Sequence, residues 1–169
     1  MNICFFILAF SLFNFDYQED SILQNIRHKY AEINSNLSQY KRTEETRADG
    51  VGEGGDIVSY LYRDSVKLII ETNYWENGKE RTEYYYDNNE IIFIYDIKYK
   101  YKVPIYDSSF KIGDSRLEEN RSYFNNRRMI KWIDEKKKII PVNSTEFEKS
   151  EEIQLDYSLM LMKSALKSR

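Results

Sequence analysis

Lysine and tyrosine alternate along one short run of this sequence, and this run is the best candidate in it for binding chemistry. Lys98, Lys100 and Lys102 flank Tyr99 and Tyr101. Tyrosine rings can stack on flat groups, and ammonium groups attract an anion beside them, as for an anionic glycan, a lipid head group or a nucleic acid. The alternative is that the lysines keep an edge strand from pairing with another molecule. We predict a binding surface at Lys98, Tyr99, Lys100 and Tyr101.

Two further aromatic residues lie next to predicted turns. Trp75 precedes Asn77-Gly78, and Tyr85 precedes the run 87–89. An exposed aromatic side chain is a common anchor for a protein or glycan partner. We add Trp75 and Tyr85 to the predicted binding residues, and we expect Trp132 in the core. The alternative for all these rings is that they fill the core.

Groups for catalysis are scarce, and the sequence predicts no catalytic residue, cofactor or metal site. His28 and Cys4 are the single histidine and the single cysteine, whereas a zinc site needs several such ligands and a general base needs a partner group. Glu83, Glu118 and Glu119 leave one enzymatic alternative, a hydrolase with two carboxylates across a cleft. Adjacent strand residues point to opposite faces, so Glu118 and Glu119 cannot form that pair with each other.

The overall composition argues against nucleic acid as a partner. The net charge is −3, and the charged residues, 31% of 169, are spread along the chain. Such a balance gives no electrostatic reason to bind nucleic acid or an anionic membrane. The length predicts one domain. The 15 tyrosines and 9 phenylalanines suit half-buried strands.

Residues 1–15 resemble a signal peptide. They carry no charged side chain, and the run from Ile3 to Phe13 is almost wholly apolar. That run is too short for a helix that crosses a bilayer of about 30 Å, but it fits the apolar core of a leader, with cleavage near Ser11. We therefore expect a periplasmic or secreted protein without a transmembrane anchor and without Cys4. The alternative is an apolar strand or helix that packs on the domain, which would make the protein a cytosolic regulator or an immunity-like partner protein.

The rest of the chain predicts a helix, a sheet and a second helix. Ser21 and Gln24 form a capping box, and apolar residues recur at steps of three or four, so we predict a helix over about 21–43 within an N-terminal segment 16–48. Four of the six glycines lie in 49–55, which predicts a flexible connector. The recurring apolar positions are Ile22, Ile26, Tyr30, Ile33, Leu37 and Tyr40.

Segment 56–140 predicts an antiparallel sheet, because short runs of Tyr, Ile, Val and Phe alternate with turn residues. Asn77-Gly78 is the strongest hairpin signal, and Pro104 should end a strand. Segment 141–169 predicts the C-terminal helix, with start signals near Ser144. The predicted strands are 57–62, 66–74, 79–86, 90–97, 98–103, 118–124 and 128–133. The predicted apolar face of the last helix is Phe147, Ile153, Tyr157, Met160 and Leu161. The fold class is α+β, a twisted antiparallel meander with a helix at each end.

Three turn regions share a pattern of two aromatic residues, a spacer, and Asn before a polar pair. They are Tyr74–Lys79, Tyr85–Ile91 and Tyr123–Met129. This pattern resembles the YYxNGKL variant of MORN-type hairpin repeats in exported bacterial proteins, and the Ile, Lys, Asn and Tyr usage is similar to that of AT-rich bacteria such as Bacteroidetes. The resemblance covers about 60 residues of the 169 and implies a binding scaffold for a protein or a surface rather than an enzyme. Only Asn77 is followed by glycine, and the repeats are unevenly spaced.

Overall fold

The protein folds as a seven-stranded antiparallel sheet with one helix before it and one after it. The computed structural model describes residues 5–47 and 53–168, with side chains from Glu19 onward. Strands adjacent in sequence are adjacent in the sheet throughout, so the sheet is a simple meander. The predicted α+β class is confirmed. The elements are α1 (Phe5–Ser35), β1 (Lys41–Arg47), β2 (Gly55–Tyr62), β3 (Ser65–Trp75), β4 (Gly78–Asp87), β5 (Glu90–Lys100), β6 (Arg116–Asn125), β7 (Arg128–Ile133) and α2 (Thr145–Lys167).

The two helices cover opposite faces of the sheet. Residues Tyr85, Phe93 and Tyr123 pack with α1, and we call their side of the sheet the α1 face. Their neighbours in sequence, such as Tyr86 and Phe124, pack with α2 on the α2 face. The alternation of strand side chains produces this division, and it gives the molecule two cores, one on each side of the sheet.

The N-terminal helix differs from its prediction at both ends. The helix runs from Phe5 to Ser35. Residues 41–47 form the edge strand β1 and are not helical. Ser21 therefore lies inside α1 and is not an N-cap. Leu37 still packs with α1 and the sheet from a 3₁₀ turn at 37–39. The apolar period thus continues past the helix, which explains the wrong boundary.

The predicted connector 49–55 lies mostly outside the described residues. Gly54 has a φ of 109°, and Gly55 already begins β2. Residues 48–52 are not described, so the flexibility of the connector stays a prediction. The signal peptide 1–15 also stays a prediction, although the backbone from Phe5 onward belongs to α1.

The predicted strands 90–97 and 98–103 form one strand, β5, which ends at Lys100 before Pro104. The Asn77-Gly78 hairpin is present, but its loop is Glu76-Asn77, and Gly78 pairs with Trp75. Asn-Gly favours a type I′ turn with positive φ at both residues, but neither Asn77 nor Gly78 has a positive φ. Glycine is required instead because a Cβ at Gly78 would lie 2.5 Å from the carbonyl oxygen of Tyr99.

Left-handed turns occur in two other hairpins, at the opposite end of the sheet. Asn88-Asn89 and Asn126-Arg127 all have φ between 50° and 62°, which fits type I′ turns. Each of these hairpins has a register shift close to the turn, and the β2–β3 hairpin has the same shift near Leu61. The structural counterpart of 85–91 and 123–129 is therefore 60–66, whereas 74–79 lies at the other end.

Helix α2 begins where the sequence predicts. The side chain of Ser144 accepts a hydrogen bond from the Phe147 amide, 3.2 Å away. Phe147 and Leu161 are buried as expected, but Ile153 and Met160 are exposed. The buried face instead includes Glu151, whose carboxylate accepts a hydrogen bond from the Met129 amide of β7 at 2.8 Å, and an apolar pattern cannot reveal such a residue. The buried residues of α2 are Phe147, Glu151, Ser158, Leu161, Met162 and Ala165.

Candidate functional site

The predicted lysine–tyrosine surface is divided between the two faces of the sheet. Lys98 and Lys100 lie on the α2 face, where the Lys100 ammonium donates to Glu118 at 2.8 Å. Tyr99 lies on the α1 face under the Lys79 ammonium, 4.6 Å from the ring centroid. Because β5 pairs with both β4 and β6, the alternative that the lysines protect a sheet edge is also wrong.

Tyr85 is a core residue and not a binding residue. Its exposed fraction is 0%, so no ligand reaches the ring. Its hydroxyl donates to Glu83 at 2.6 Å and accepts from the Asn34 amide at 3.1 Å. Burial, with the neighbouring Glu83 carboxylate, raises the pKa of Tyr85 far above that of a free tyrosine. Tyr85 therefore stabilises the packing of α1 on the sheet.

Trp75 and Tyr101 are partly exposed near the end of the sheet that carries the β3–β4 turn. The Tyr101 ring lies edge-on to Phe110, with centroids 4.9 Å apart, and its amide donates to the Asn77 carbonyl at 2.9 Å. Trp75 lies on the α2 face and Tyr99 on the α1 face, so the Trp75 and Tyr99 rings do not form one binding surface. Trp132 packs against the α2-side core, as predicted.

The structure instead brings aromatic and arginine side chains together in a groove between α1 and the sheet. We call it the aromatic groove. Its volume is about 240 Å³. Ile26, Phe93 and Tyr123 are buried and form its floor, whereas Tyr30 is 36% exposed at its rim. The lining residues are Ile26, Arg27, Tyr30, Phe93, Tyr95, Arg121 and Tyr123.

The aromatic rings of the groove contact one another and are held at fixed angles. The Phe93 ring lies edge-on to Tyr30, with centroids 5.8 Å apart. It also contacts Tyr123 at 4.9 Å and stacks nearly parallel to Tyr95 at 6.1 Å. Such contacts stabilise the rings beyond their apolar burial. The floor and one wall of the groove are therefore formed before any ligand arrives.

The polar rim of the groove is built around Arg121. Its guanidinium lies over the Tyr95 ring, 5.3 Å from the centroid, and Nη2 donates to Glu119 at 2.7 Å. The Tyr95 hydroxyl donates to the same carboxylate at 2.5 Å. Burial, with this hydrogen bond to Glu119, raises the pKa of Tyr95 to about 12. Tyr95 therefore stays neutral at physiological pH and remains a hydrogen-bond donor.

Arg27 completes the rim from the side of α1. It is exposed, and it has no hydrogen bond, ion pair or ring contact within the described part of the chain. Lys131, nearby on the α1 face, pairs with Glu19 at 3.6 Å. Arg27 is thus available to a ligand, whereas Arg121 and Lys131 already have anionic partners.

The three glutamates of the enzymatic alternative are engaged in separate contacts. Glu83 bonds to Arg81 at 2.8 Å as well as to Tyr85, and Glu119 bonds to Arg121 and Tyr95. Glu118 lies on the other face, where the Lys100 ammonium lowers its pKa. As predicted, Glu118 and Glu119 do not face each other. A hydrolase that used these groups would have to break existing ion pairs.

Two other cavities are less suited to a ligand. A cavity of about 190 Å³ on the α2 face includes Arg127, but Glu90 and Asp156 line it too. Another of about 380 Å³ lies within the β5–β6 loop and is lined by Lys102 and neighbouring loop residues. The aromatic groove alone among these three combines an arginine pair with several rings.

The sequence did not predict the aromatic groove because its residues come from separate elements. Tyr30 lies on α1, and only the register of the sheet places Arg121 opposite Tyr95 and Tyr123 opposite Phe93. Tyr95 lies in the apolar run 91–95 of the predicted strand 90–97, and nothing in that run indicates that its ring is partly exposed. No local motif marks such a site.

The described residues contain no group of three or more metal-ligating side chains placed to share an ion. Over that same portion of the chain, neither helix is long and apolar enough to span a membrane. Comparison with known proteins finds no family model, curated protein or solved structure that matches this chain.

Proposed function

We propose that this protein is a non-enzymatic binding module that holds a small ligand, or one residue of a larger ligand, in the aromatic groove. The observation that supports this most is the arrangement of the groove. Buried Phe93 and Tyr123 form an apolar floor, and partly exposed Tyr30, Tyr95 and Arg121 form a polar rim. Ligand sites commonly combine an apolar lining with a few placed polar groups.

The size of the groove limits the ligand. Pockets for drug-sized ligands have volumes of about 300–1,000 Å³, and this groove, at about 240 Å³, is slightly smaller. A single sugar ring or an amino-acid side chain suits it better than a large cofactor. The chemistry of the lining favours a glycan or a peptide.

We further propose that the protein is exported and acts in the periplasm or outside the cell. The support is the apolar segment of residues 1–15. Glu19 and later residues of α1 contact the sheet. Cleavage near Ser11 would leave these contacts, and with them the groove, in place.

Binding of glycan and peptide arrays by the purified chain tests the main proposal. Wild-type protein should bind at least one glycan or peptide. Tyr30→Ala should weaken that binding about tenfold, because truncation of an aromatic anchor costs more than about 1 kcal/mol. Tyr106→Ala is the control, since Tyr106 is 75% exposed but lies far from the groove in the β5–β6 loop. Equal effects of the two substitutions would contradict the proposal.

A second candidate is a cytosolic partner protein that keeps residues 1–15. The continuity of α1 from Phe5 favours this candidate. N-terminal sequencing of the protein recovered from its native cells separates the two. A chain that starts near residue 12 supports export, and one that starts at Met1 supports the cytosolic partner.

A further inference from the structure

We propose that the aromatic groove selects a monoanion, and specifically a six-membered ring that carries one carboxylate. This inference rests on the proposed binding function and names the class of its ligand. Three features of the groove lead to it: an arginine without a partner among the described residues, a second arginine fixed on an aromatic ring, and an apolar floor.

The first feature is a single excess positive charge. The groove is lined by Arg27 and Arg121, and Glu119 neutralises only Arg121. Arg27 has no anionic partner among the described residues. A neutral ligand would leave this exposed guanidinium in water, whereas a monoanion would balance it.

The second feature is the orientation of Arg121. A guanidinium carries five N–H donors in a planar fork that matches a carboxylate. The hydrogen bond to Glu119 uses one of them, and the contact with the Tyr95 ring keeps the group in place. The Arg121 side chain is 34% exposed, so it can reach a carboxylate held in the groove together with Arg27.

The third feature is the floor, which requires a ring or an equally apolar body behind the carboxylate. Ile26, Phe93 and Tyr123 present apolar surface, and Tyr30 and Tyr95 stand beside it. Such surfaces stack on the face of a pyranose or of an aromatic ring. A uronic acid and an aromatic acid share this chemistry, and a direct comparison can distinguish them.

Titrations followed by amide NMR of the full chain test this inference with four probes. Sodium glucuronate and sodium benzoate carry the carboxylate, and glucose and benzyl alcohol are their neutral counterparts. We expect the two acids to shift the amide signals of Tyr95 and Arg121 and to bind at least tenfold more tightly than the neutral probes. Tighter binding of glucuronate than of benzoate would identify the sugar acid, and the reverse order the aromatic acid.

Arg27→Gln should reduce the affinity for the better acid about tenfold, because a charged hydrogen bond is lost. It should leave the unliganded spectrum nearly unchanged, since Arg27 contacts no partner among the side chains that the structure describes. Arg116→Gln is the matched control: Arg116 is an exposed arginine of β6, but on the α2 face. The affinity of the Arg116→Gln variant for the same acid should equal that of the wild type.

Equal binding of acids and neutral probes, or equal effects of Arg27→Gln and Arg116→Gln, would overturn the ligand class. Shifts at the groove would still support the proposed binding function in that case. If neither acid shifts the groove signals, the ligand class is also overturned, and the array experiment then decides independently whether the groove binds a different ligand.

Discussion

The guanidinium of Arg121 lies 5.3 Å from the ring centroid of Tyr95, and both side chains bond to Glu119. Arg121 is directly opposite Tyr95 in the β5–β6 register, so the contact follows from strand pairing alone. Glu119 lies two residues before Arg121 on the same face. The three side chains form a fixed unit at the rim of the aromatic groove.

The negative charge of Glu119 should raise the pKa of the Tyr95 hydroxyl. Glu119→Gln removes the negative charge and should lower the pKa of Tyr95 from about 12 towards the ordinary value. Burial remains as a cause, so the pKa should stay above 10.0, the value of a free tyrosine. NMR of tyrosines labelled at the ring carbon that bears the hydroxyl measures this pKa. Glu118→Gln, on the opposite face, should leave it unchanged, and a shift of equal size there would contradict the assignment.

Asp96 should make the protein less stable as the pH rises through the weakly acidic range. It lies opposite Thr82 and Asn120 on the α2 face. Burial, with nearby carboxylates, raises its pKa from 3.8 to about 6. Because the folded state then binds more protons than the unfolded state between these values, stability falls as the pH rises from about 4 to about 6.

Asp96→Asn should remove this dependence. Two pKa units correspond to about 3 kcal/mol as an upper limit. The free energy of unfolding of the variant should therefore exceed that of the wild type by up to this amount at pH 7, and by less at pH 4. Urea unfolding at several pH values provides the measurement. Asp156→Asn, at an exposed position of α2, is the control. A wild-type-like pH slope in Asp96→Asn would refute the role of Asp96.

Two partners, Arg47 and Tyr157, should stabilise the buried Glu71 carboxylate and with it the folded protein. Its side chain is 7% exposed and pairs with Arg47, and the Tyr157 hydroxyl lies 3.0 Å from each of its oxygens. Arg47→Gln leaves a buried charge without a cation and should cost about 2–4 kcal/mol. Tyr157→Phe should cost about 1 kcal/mol.

Chemical unfolding measures both losses. Arg42→Gln, on the same edge strand β1, is the matched control, because Arg42 and Glu44 form an exposed pair that should contribute less than about 1 kcal/mol. If Arg47→Gln were as mild as Arg42→Gln, the account of this buried pair would be wrong.

Asn89 should stabilise two hairpins at once. It has a φ of 62°, and its side-chain oxygen accepts from the Val66 amide at 2.9 Å. Asn89→Ala loses both the tolerance of a left-handed backbone and this hydrogen bond, at a cost of about 2 kcal/mol. Asn89→Gly should lose only about half as much stability as Asn89→Ala, since glycine tolerates the left-handed backbone conformation. Unfolding free energies and hydrogen exchange at Val66 check this order, and an equal cost for Ala and Gly would exclude a backbone contribution.

Much of the fold could be predicted from local patterns, since Tyr- and Ile-rich runs between Asn turns gave most strands of the meander. Strand β1 was missed because 41–47 is charged and follows an apolar helical period that continues to Tyr40. Its strand character comes from pairing with β2, which outweighs local preference.

The binding residues were harder to predict than the fold. Strict alternation in 98–102 already implied that Lys98 and Tyr99 point to opposite faces, so their separation could have been anticipated from the sequence. The aromatic groove could not be, because Tyr30, Tyr95 and Arg121 meet only through the docking of α1 and the β5–β6 register.

Ring-carbon NMR of the tyrosines during titration with a ligand found on the arrays tests the central claim most directly. The signals of Tyr30 and Tyr95 should shift together and saturate at the same ligand concentration, while that of Tyr106 should stay in place. Shifts confined to Tyr99, Tyr101 or Tyr106, with Tyr30 and Tyr95 unchanged, would contradict the aromatic groove as the binding site.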